Sequence, residues 1–545
     1  MILPLAQIDP AGEAGAEPTV QAIEAVLILL LAATALALLA RRIGIPYPLL
    51  LTLGGLALGF VPGLPTIELE PDIMFLLFLP PILFGAGYFT SLRDFRRNLR
   101  AITLLSVGLV LATTVAVAVV AQALVPGLGW AAAFTLGAIV APPDAVAATS
   151  IFQRLGVPRR VVTILEGESL VNDATALVAY RTAVFAAVFG TFSAGETAVT
   201  FVAVGIGGIA FGLLAGIVIS WALRHIDDPV FSVVLTFLAP VATYLPAEQF
   251  QISGVLATVA AGIWVGRTAP REMSSSVRVA GTAAWQVLLF LINGTVFILI
   301  GAQLPSVLEG LSGRSPAELI GLAAIISAVV IVVRILWVFP GTYLPRALSK
   351  AIRAREPYPP PRNVFIVSWA GMRGVVTLAA ALAIPLTLED GSPFPERDLL
   401  IFLAFSVILA TLVGQGLTLP FVIKALGVVA DTGDDHEEAH IRMVVAESAV
   451  QRIDELEVEW PGHKELIDTL RAVYGHRASH VEQHHADLPL DEREQELLEH
   501  REIRGAVIEA EREALVQLRE RGAVSDEVFR RIERDLDLEE LRMEA

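Results

Sequence analysis

Cysteine is absent from all 545 residues, which excludes a disulfide framework, a thiolate nucleophile and any cysteine-ligated metal. Charge is scarce too: 17% of residues are Asp, Glu, Lys or Arg, against 55% hydrophobic, and mean hydropathy is +0.66. That balance excludes a large soluble enzyme, because apolar runs longer than about 18 residues recur and each can cross a bilayer. The first 19 residues hold no Lys or Arg, so no cleaved signal peptide is expected and the first run should stay as a helix. Histidine is nearly missing from residues 1–430, which carry only His225 of the nine.

The net charge of −17 sits at one end. Residues 1–430 contain 24 acids and 24 bases, while 431–545 contain 32 acids, 15 bases and eight histidines. Two domains follow, with the change just after Lys424. We expect an extracytoplasmic N-terminus (1–19), a membrane domain (20–430) and a cytoplasmic helical tail (431–545). The fold class is an all-α polytopic membrane protein.

Thirteen apolar runs are expected as spans: 20–40, 46–63, 72–90, 101–122, 129–150, 161–190, 197–222, 229–246, 250–266, 279–301, 317–345, 363–387 and 398–423. Every second connection is basic. Arg41 and Arg42 follow the first run, Arg93, Arg96, Arg97 and Arg100 the third, and Arg154, Arg159 and Arg160 the fifth. Arg346, Lys350, Arg353, Arg355 and Arg362 follow the eleventh, whereas Glu68, Glu70 and Asp72 mark an acidic connection. The positive-inside rule puts the N-terminus outside and the tail in the cytoplasm, as an odd number of spans requires.

The chain is organised around Glu166–Arg181, where three carboxylates, an amide and a hydroxyl fall within eight residues of an otherwise apolar run. Helical spacing puts Glu166, Ser169 and Asp173 on one face, and Glu168 and Asn172 on its neighbour. Glu166 and Glu168 stand near the start of the run and fit a water-exposed entry. Asp173 does not, because apolar sequence continues past it. A carboxylate at membrane depth marks an ion or proton path.

Two runs are interrupted. The fifth contains Ala141-Pro142-Pro143-Asp144, whose prolines remove two backbone donors and break the helix. The twelfth contains Trp369-Ala370-Gly371-Met372-Arg373-Gly374. If spans one to six and eight to thirteen are inverted repeats, these breaks occupy matching positions, the sequence mark of a transporter's binding site. A pair of ordinary kinks does not explain why each break carries a charge, Asp144 and Arg373.

Glu168-Ser169-Leu170-Val171-Asn172-Asp173 resembles the Asn-Asp signature of the electroneutral sodium/proton antiporters, within the monovalent cation:proton antiporter (sodium/proton exchanger) superfamily. Leu79 to Phe89, the basic run after it, and Gly371-Met372-Arg373-Gly374 resemble that family's patterns in the same order. The resemblance covers about residues 20–425. It implies a core domain moving against a dimerisation domain, a homodimer in the plasma membrane, and a cation held where two broken helices cross. On matching positions, Asp173 would be the shared cation and proton carrier. Ser169, the unwound carbonyls near Pro143, Asp144 and Asn172 would complete the ion site, with Na+ at Asp173 and Ser169. Glu168 and Arg373 would form a buried ion pair tied by Asn172. The chain departs from the family at Pro143, where a hydroxyl residue is common, at Gly85, where some relatives carry an acid, and at Asn293, where animal exchangers carry one.

The chemistry fits monovalent cation/proton exchange. Hard cations take several oxygen ligands, with charge supplied by a carboxylate. Burial disfavours an ionised acid, so Na+ and H+ compete to neutralise Asp173, and a neutralised site crosses a low-dielectric barrier more easily. One cycling acid beside Asn172 predicts one proton per cation. No cofactor or nucleic-acid partner is expected; the partners are the cation, the proton and membrane lipid. A K+/H+ antiporter of the same fold is the alternative. A cation channel is disfavoured by the lack of a repeated filter-like loop.

Other charges have ordinary readings. Arg181, two turns past Asp173, either lines the path or snorkels to the interface. Arg334 is expected to be structural, bonded to backbone or a loop acid, and Glu24 to be interfacial. In the tail, His436-Glu437-Glu438-Ala439-His440 matches a zinc-protease pattern but lacks a third ligand. His476, His480 and His484 recur at helical spacing, as a solvated polar face or a pH sensor. Ser525-Asp526-Glu527 marks a helix start and a terminal helical hairpin.

Overall fold

A computed structural model describes residues 10–61, 74–190, 194–311, 313–428, 433–487, 506–518, 521 and 526–544. The chain divides into two compact units, Met1–Ala430 and Asp431–Ala545. Among the described residues every extended regular element is helical, with one isolated bridge between Thr387 and Pro393. A backbone in hydrocarbon must satisfy its own polar groups, and a helix does so within one segment.

The principal helices of the first unit are α1 (Pro10–Ile43), α2 (Tyr47–Gly59), α3 (Leu79–Phe89), α4 (Val110–Leu124), α5 (Trp130–Val140), α6 (Ala145–Leu155), α7 (Arg159–Phe189) and α8 (Ala194–Leu223). They continue with α9 (Pro229–Gln249), α10 (Gly254–Glu272), α11 (Ser275–Ala302), α12 (Pro316–Leu348), α13 (Pro361–Trp369), α14 (Val375–Leu382), α15 (Arg397–Leu409) and α16 (Gly416–Ala425). The first begins ten residues before the expected span. Local chemistry sets several other ends. Asp228, Ser253, Ser274 and Ser315 cap α9 to α12 by accepting backbone N–H groups, and left-handed Gly156 and Gly190 close α6 and α7.

By length and composition alone, seven described helices can cross a membrane, and two shorter apolar ones join them. The shortfall from thirteen has physical causes. The twelfth run is split into α13 and α14, and α7 carries Glu166, Glu168, Asp173 and Arg181 within its length.

Lipid offers little hydrophobic drive for helices to associate, so close backbone approach must supply the contact. Helices α3 and α10 show this: a Cβ at Gly262 or Gly266 would overlap the carbonyls of Phe84 and Tyr88. Leu79, Leu83, Leu170, Ala174, Tyr244, Val255 and Val259 form a buried cluster joining α3, α7, α9 and α10. A larger cluster gathers α6, α7, α13, α14 and α16 with Val296–Ile300 of α11. The chain breaks twice beside the larger cluster, which includes Ala370 and Met372 of the second break.

The second unit contains α17 (Gly433–Glu459), α18 (Lys464–Asp487) and α19 (Asp526–Glu544). Ile453 and Ile467 are buried, and Arg471 bridges Asp454, Glu457 and Asp468. Helical residues 506–518 pack on α19 through Ile508, Leu515, Phe529 and Leu536, and Arg512 pairs with Asp537 and Glu540. The side chains of His436, His440, His476, His480 and His484 lie outside the described residues, as does Ser525.

Candidate ion site at two broken helices

Pro142 and Pro143 separate α5 from α6, and Ala370–Gly374 separates α13 from α14. The two breaks meet. The Asp144 N–H donates to the Met372 carbonyl at 2.7 Å. Arg373 donates from Nε to the Val140 carbonyl at 3.1 Å, from Nη2 to Ala141 at 3.4 Å, and from Nη1 to Gly371. Its own N–H donates to Thr411 Oγ1 at 3.1 Å. Carbonyls left open where α5 ends are thereby satisfied by a guanidinium from the opposite break.

Asp144 caps α6 by accepting the Val146 N–H at 2.8 Å, and its carboxylate also lies against Gly374, the residue before the start of α14. Its charge therefore faces two helix N-termini, where the macrodipole favours an anion. A Cβ at Gly374 would overlap that carboxylate, so glycine is required for the approach.

Helix α7 runs past this junction. A cavity of about 460 Å³ is lined by Asp144, Glu166, Ser169, Asp173, Pro143 and Thr377, among others. Asp173 is 8% exposed. Three carboxylates and no Lys, Arg or His line the cavity, so it favours a cation. Ser169 Oγ accepts the Ala145 N–H at 3.4 Å, which holds α7 to the start of α6.

The neighbouring face of α7 does different work. Glu168 is 1% exposed and pairs with fully buried Arg334 through two bonds of 2.6 and 2.8 Å. Arg334 also donates to the Val367 carbonyl. This corrects the expected Glu168–Arg373 pair: Arg373 is spent on backbone carbonyls, and the carboxylate takes the fork of α12. Asn172 does not tie that pair either. Its Nδ2 donates to the Pro143 carbonyl at 2.7 Å, and it is absent from the cavity lining. Arg181 lines nothing there; it pairs with Glu248 at 2.6 Å.

The geometry brings Asp173, Ser169, Asp144 and Pro143 to one cavity and leaves Asn172 behind it. Sequence reasoning passed over the lining residue Thr377, and marked Asn293 only as a departure from the family, not as part of the site. It also set Glu166 in an exposed entry, although its position i to the i+7 of Asp173 had already put them on one face. Among the described residues no cluster of His, Asp and Glu could hold a resident metal ion.

A helical membrane protein with two interrupted helices meeting at an acidic cavity is built as a secondary transporter of cations. Residues 26–425 match the model of the sodium/hydrogen exchanger transmembrane family, and the chain belongs to that family. A Na+/H+ exchanger of Mycobacterium tuberculosis is 35% identical over 524 residues, covering 95% of this chain and 96% of the relative. A sodium, potassium, lithium and rubidium/H+ antiporter of Bacillus subtilis is 34% identical over 504 residues, covering 89% and 72%. The sodium proton antiporter MjNhaP1 of Methanocaldococcus jannaschii shares the fold, with a TM-score of 0.58 at 21% identity over 75% of this chain and 98% of that one. The relatives are transporters, and the chain is a cation/proton antiporter, not an enzyme.

Proposed function

We propose that the protein exchanges Na+ or Li+ for H+ one for one, with Asp173 as the group both ions neutralise. The observation that carries this reading is the cavity at the two breaks, lined by Asp144, Glu166 and Asp173 and by no basic side chain. A buried carboxylate is costly unless something compensates it, and Asp144 already has two helix N-termini. Asp173 is left to the cargo. With only Asp173 cycling, the loaded and protonated sites carry equal charge and exchange is electroneutral.

K+ exchange at the same site is the second reading, favoured by the breadth of cations in the name of the Bacillus subtilis relative. We further propose thirteen spans in inverted repeats, a homodimer in the plasma membrane, an N-terminus outside and a regulatory cytoplasmic tail from residue 431. Thr90, Gln153 and Glu166 line the cavity next to the basic connections, so with those connections in the cytoplasm this conformer faces inward. Because the chain lacks cysteine, Gln153→Cys gives a single labelling site. Its modification from the cytoplasmic side alone fits this topology, and modification from outside refutes it.

Proteoliposomes loaded with a pH-sensitive dye test the function. Na+, Li+, K+ and Rb+ gradients rank the cargo, and a clamped membrane potential reads charge movement. Asp173→Asn is expected to insert and fold but to abolish proton flux under every gradient. Normal flux in that variant removes Asp173 from the mechanism, and a net current removes electroneutrality. Truncation after Ala430 is expected to keep exchange and shift its dependence on cytoplasmic pH.

A further inference from the structure

Two residues lining the cavity carry buried oxygens that the exchange reading does not use. Thr377, on α14, is 1% exposed, and Asn293, on α11, is 7% exposed. Both line the same cavity as Asp173. Neither Thr377 Oγ1 nor Asn293 Oδ1 has a hydrogen-bond partner among the described residues. Leaving a buried polar atom unpaired costs about 1–3 kcal/mol, so each calls for a water or an ion.

The break removes the usual partner of the Thr377 hydroxyl. Many helical threonines in this protein bond back one turn, among them Thr52 to the Pro48 carbonyl, Thr114 to Val110, Thr135 to Ala131, Thr182 to Val178 and Thr243 to Ala239, although Thr113 and Thr258 do not. Thr377 stands in the first turn of α14, which begins at Val375. Its i−4 residue is Arg373, outside the helix, and the customary bond is not made. Spacing places Thr377 one turn from Gly374 on the same face, and Gly374 abuts the Asp144 carboxylate.

Several of the expected ligand oxygens are already partly engaged. One Asp144 oxygen accepts the Val146 N–H, the Ser169 hydroxyl accepts the Ala145 N–H, and the Pro143 carbonyl already accepts Asn172. A dehydrated monovalent cation takes several oxygens. Pro143 also lacks any side-chain hydroxyl to offer. We propose that Thr377 Oγ1 and Asn293 Oδ1 are further oxygen ligands of the cargo cation, one from the second broken helix and one from α11. The proposal rests on the exchange reading above. It makes ion affinity, and the ranking of cations by size, depend on two elements beyond α7.

The test uses full-length protein with Thr377→Val, Thr377→Ser and Asn293→Leu. Proteoliposomes give apparent KM and maximal rate for Li+, Na+, K+ and Rb+. Melting in detergent, with and without each chloride salt, gives binding without transport. T377V and N293L should each raise the apparent KM for the preferred cation about tenfold and shrink the ion-induced rise in Tm. T377S should restore both. An equal change in KM for all four cations overturns the role in ranking. An unchanged KM and Tm rise in T377V or N293L, while Asp173→Asn loses both, overturns that residue as a ligand and leaves the exchange reading intact. A wild-type protein that no cation stabilises or drives removes the exchange reading and this proposal with it. Should T377V fail to fold, a normal KM in T377S with a raised one in N293L still supports the assignment, and an unchanged KM in N293L sinks it.

Discussion

The two helix breaks use opposite chemistry at the same depth. The first is made at prolines, which end α5, and the carbonyls of Val140, Ala141 and Pro143 lose their helical donors beside the acid Asp144. The second is made between glycines and supplies donors through Arg373. The first borders the cavity through Pro142, Pro143 and Asp144, whereas the second reaches it only at Gly374; Ala370, Met372 and Arg373 are at most 2% exposed and do not line it. One break is mostly wet and the other mostly dry. A wet break can exchange its partners with water and ions; a dry one must keep every partner it has. Damage on the dry side should therefore appear as lost stability, and damage on the wet side as lost transport.

The largest stability effect belongs to the dry ion pair behind the breaks. Glu168→Ala or Arg334→Ala leaves an uncompensated charge in a site at most 1% exposed, at a cost of about 3–5 kcal/mol. The double variant should lose less than the sum. The Glu168/Arg373 double variant should come closer to additivity, because those side chains share no bond. Unfolding titrations in detergent read both cycles. Equal coupling in the two would show that Arg373, and not Arg334 alone, carries the carboxylate.

Next is Arg373→Lys, which keeps the charge but loses the fork that reaches Val140, Ala141 and Gly371. At least one buried carbonyl is orphaned, for about 1–3 kcal/mol. Cation affinity in the surviving protein should stay near that of the wild type. A weakened KM at unchanged stability would place Arg373 in the ion path and erase the contrast between the breaks.

The wet break should be more forgiving. Asn172→Ala removes the bond to the Pro143 carbonyl, but Pro143 lines the cavity and water can replace the amide. The expected loss is about 1 kcal/mol, with exchange altered more than stability. A loss as large as that of the ion-pair variants would show the first break to be as dry as the second.

What could be read in advance follows this division. Breaks are local, so Pro142-Pro143 and the Gly371–Gly374 segment announced them through donors removed and glycines placed. The faces of α7 follow from helical spacing, which sets Ser169 with Asp173 and Glu168 apart from them. Arg334 could not be assigned to Glu168, since 166 residues separate them and no periodicity links α12 to α7. Arg373 was the nearer guess because its break was visible, yet broken backbone claims a guanidinium before a carboxylate does. Thr377 looked ordinary, and Asn293 stood out only as a departure from the family, because what marks both in the site is a missing partner, and that is a property of packing.

The smallest effect tests the same pairing chemistry outside the membrane spans. Glu356 lies between α12 and α13, accepts Arg100 at 2.6 Å and Arg346 at 2.9 Å, and has a side chain 21% exposed. The hydrogen bond from Arg100, aided by the nearby positive charges of Arg100, Arg346 and Arg160 and opposed by partial burial, holds its carboxyl below the usual glutamate range. The folded state therefore binds this proton more weakly than the unfolded chain. The stabilisation is fully present at pH 7, begins to fade as pH falls toward the ordinary value of about 4.3, and is gone below the depressed folded value. Because the group is partly solvated, Glu356→Gln should cost only about 0–1 kcal/mol at pH 7, well under the cost of Glu168→Ala. The gap in Tm between wild type and E356Q should narrow as pH falls from 7 through the ordinary glutamate range. A gap that does not narrow would mean that Glu356 acts through packing and not charge. A gap as wide as that of Glu168→Ala would mean that dryness is not what makes the buried pair expensive to break.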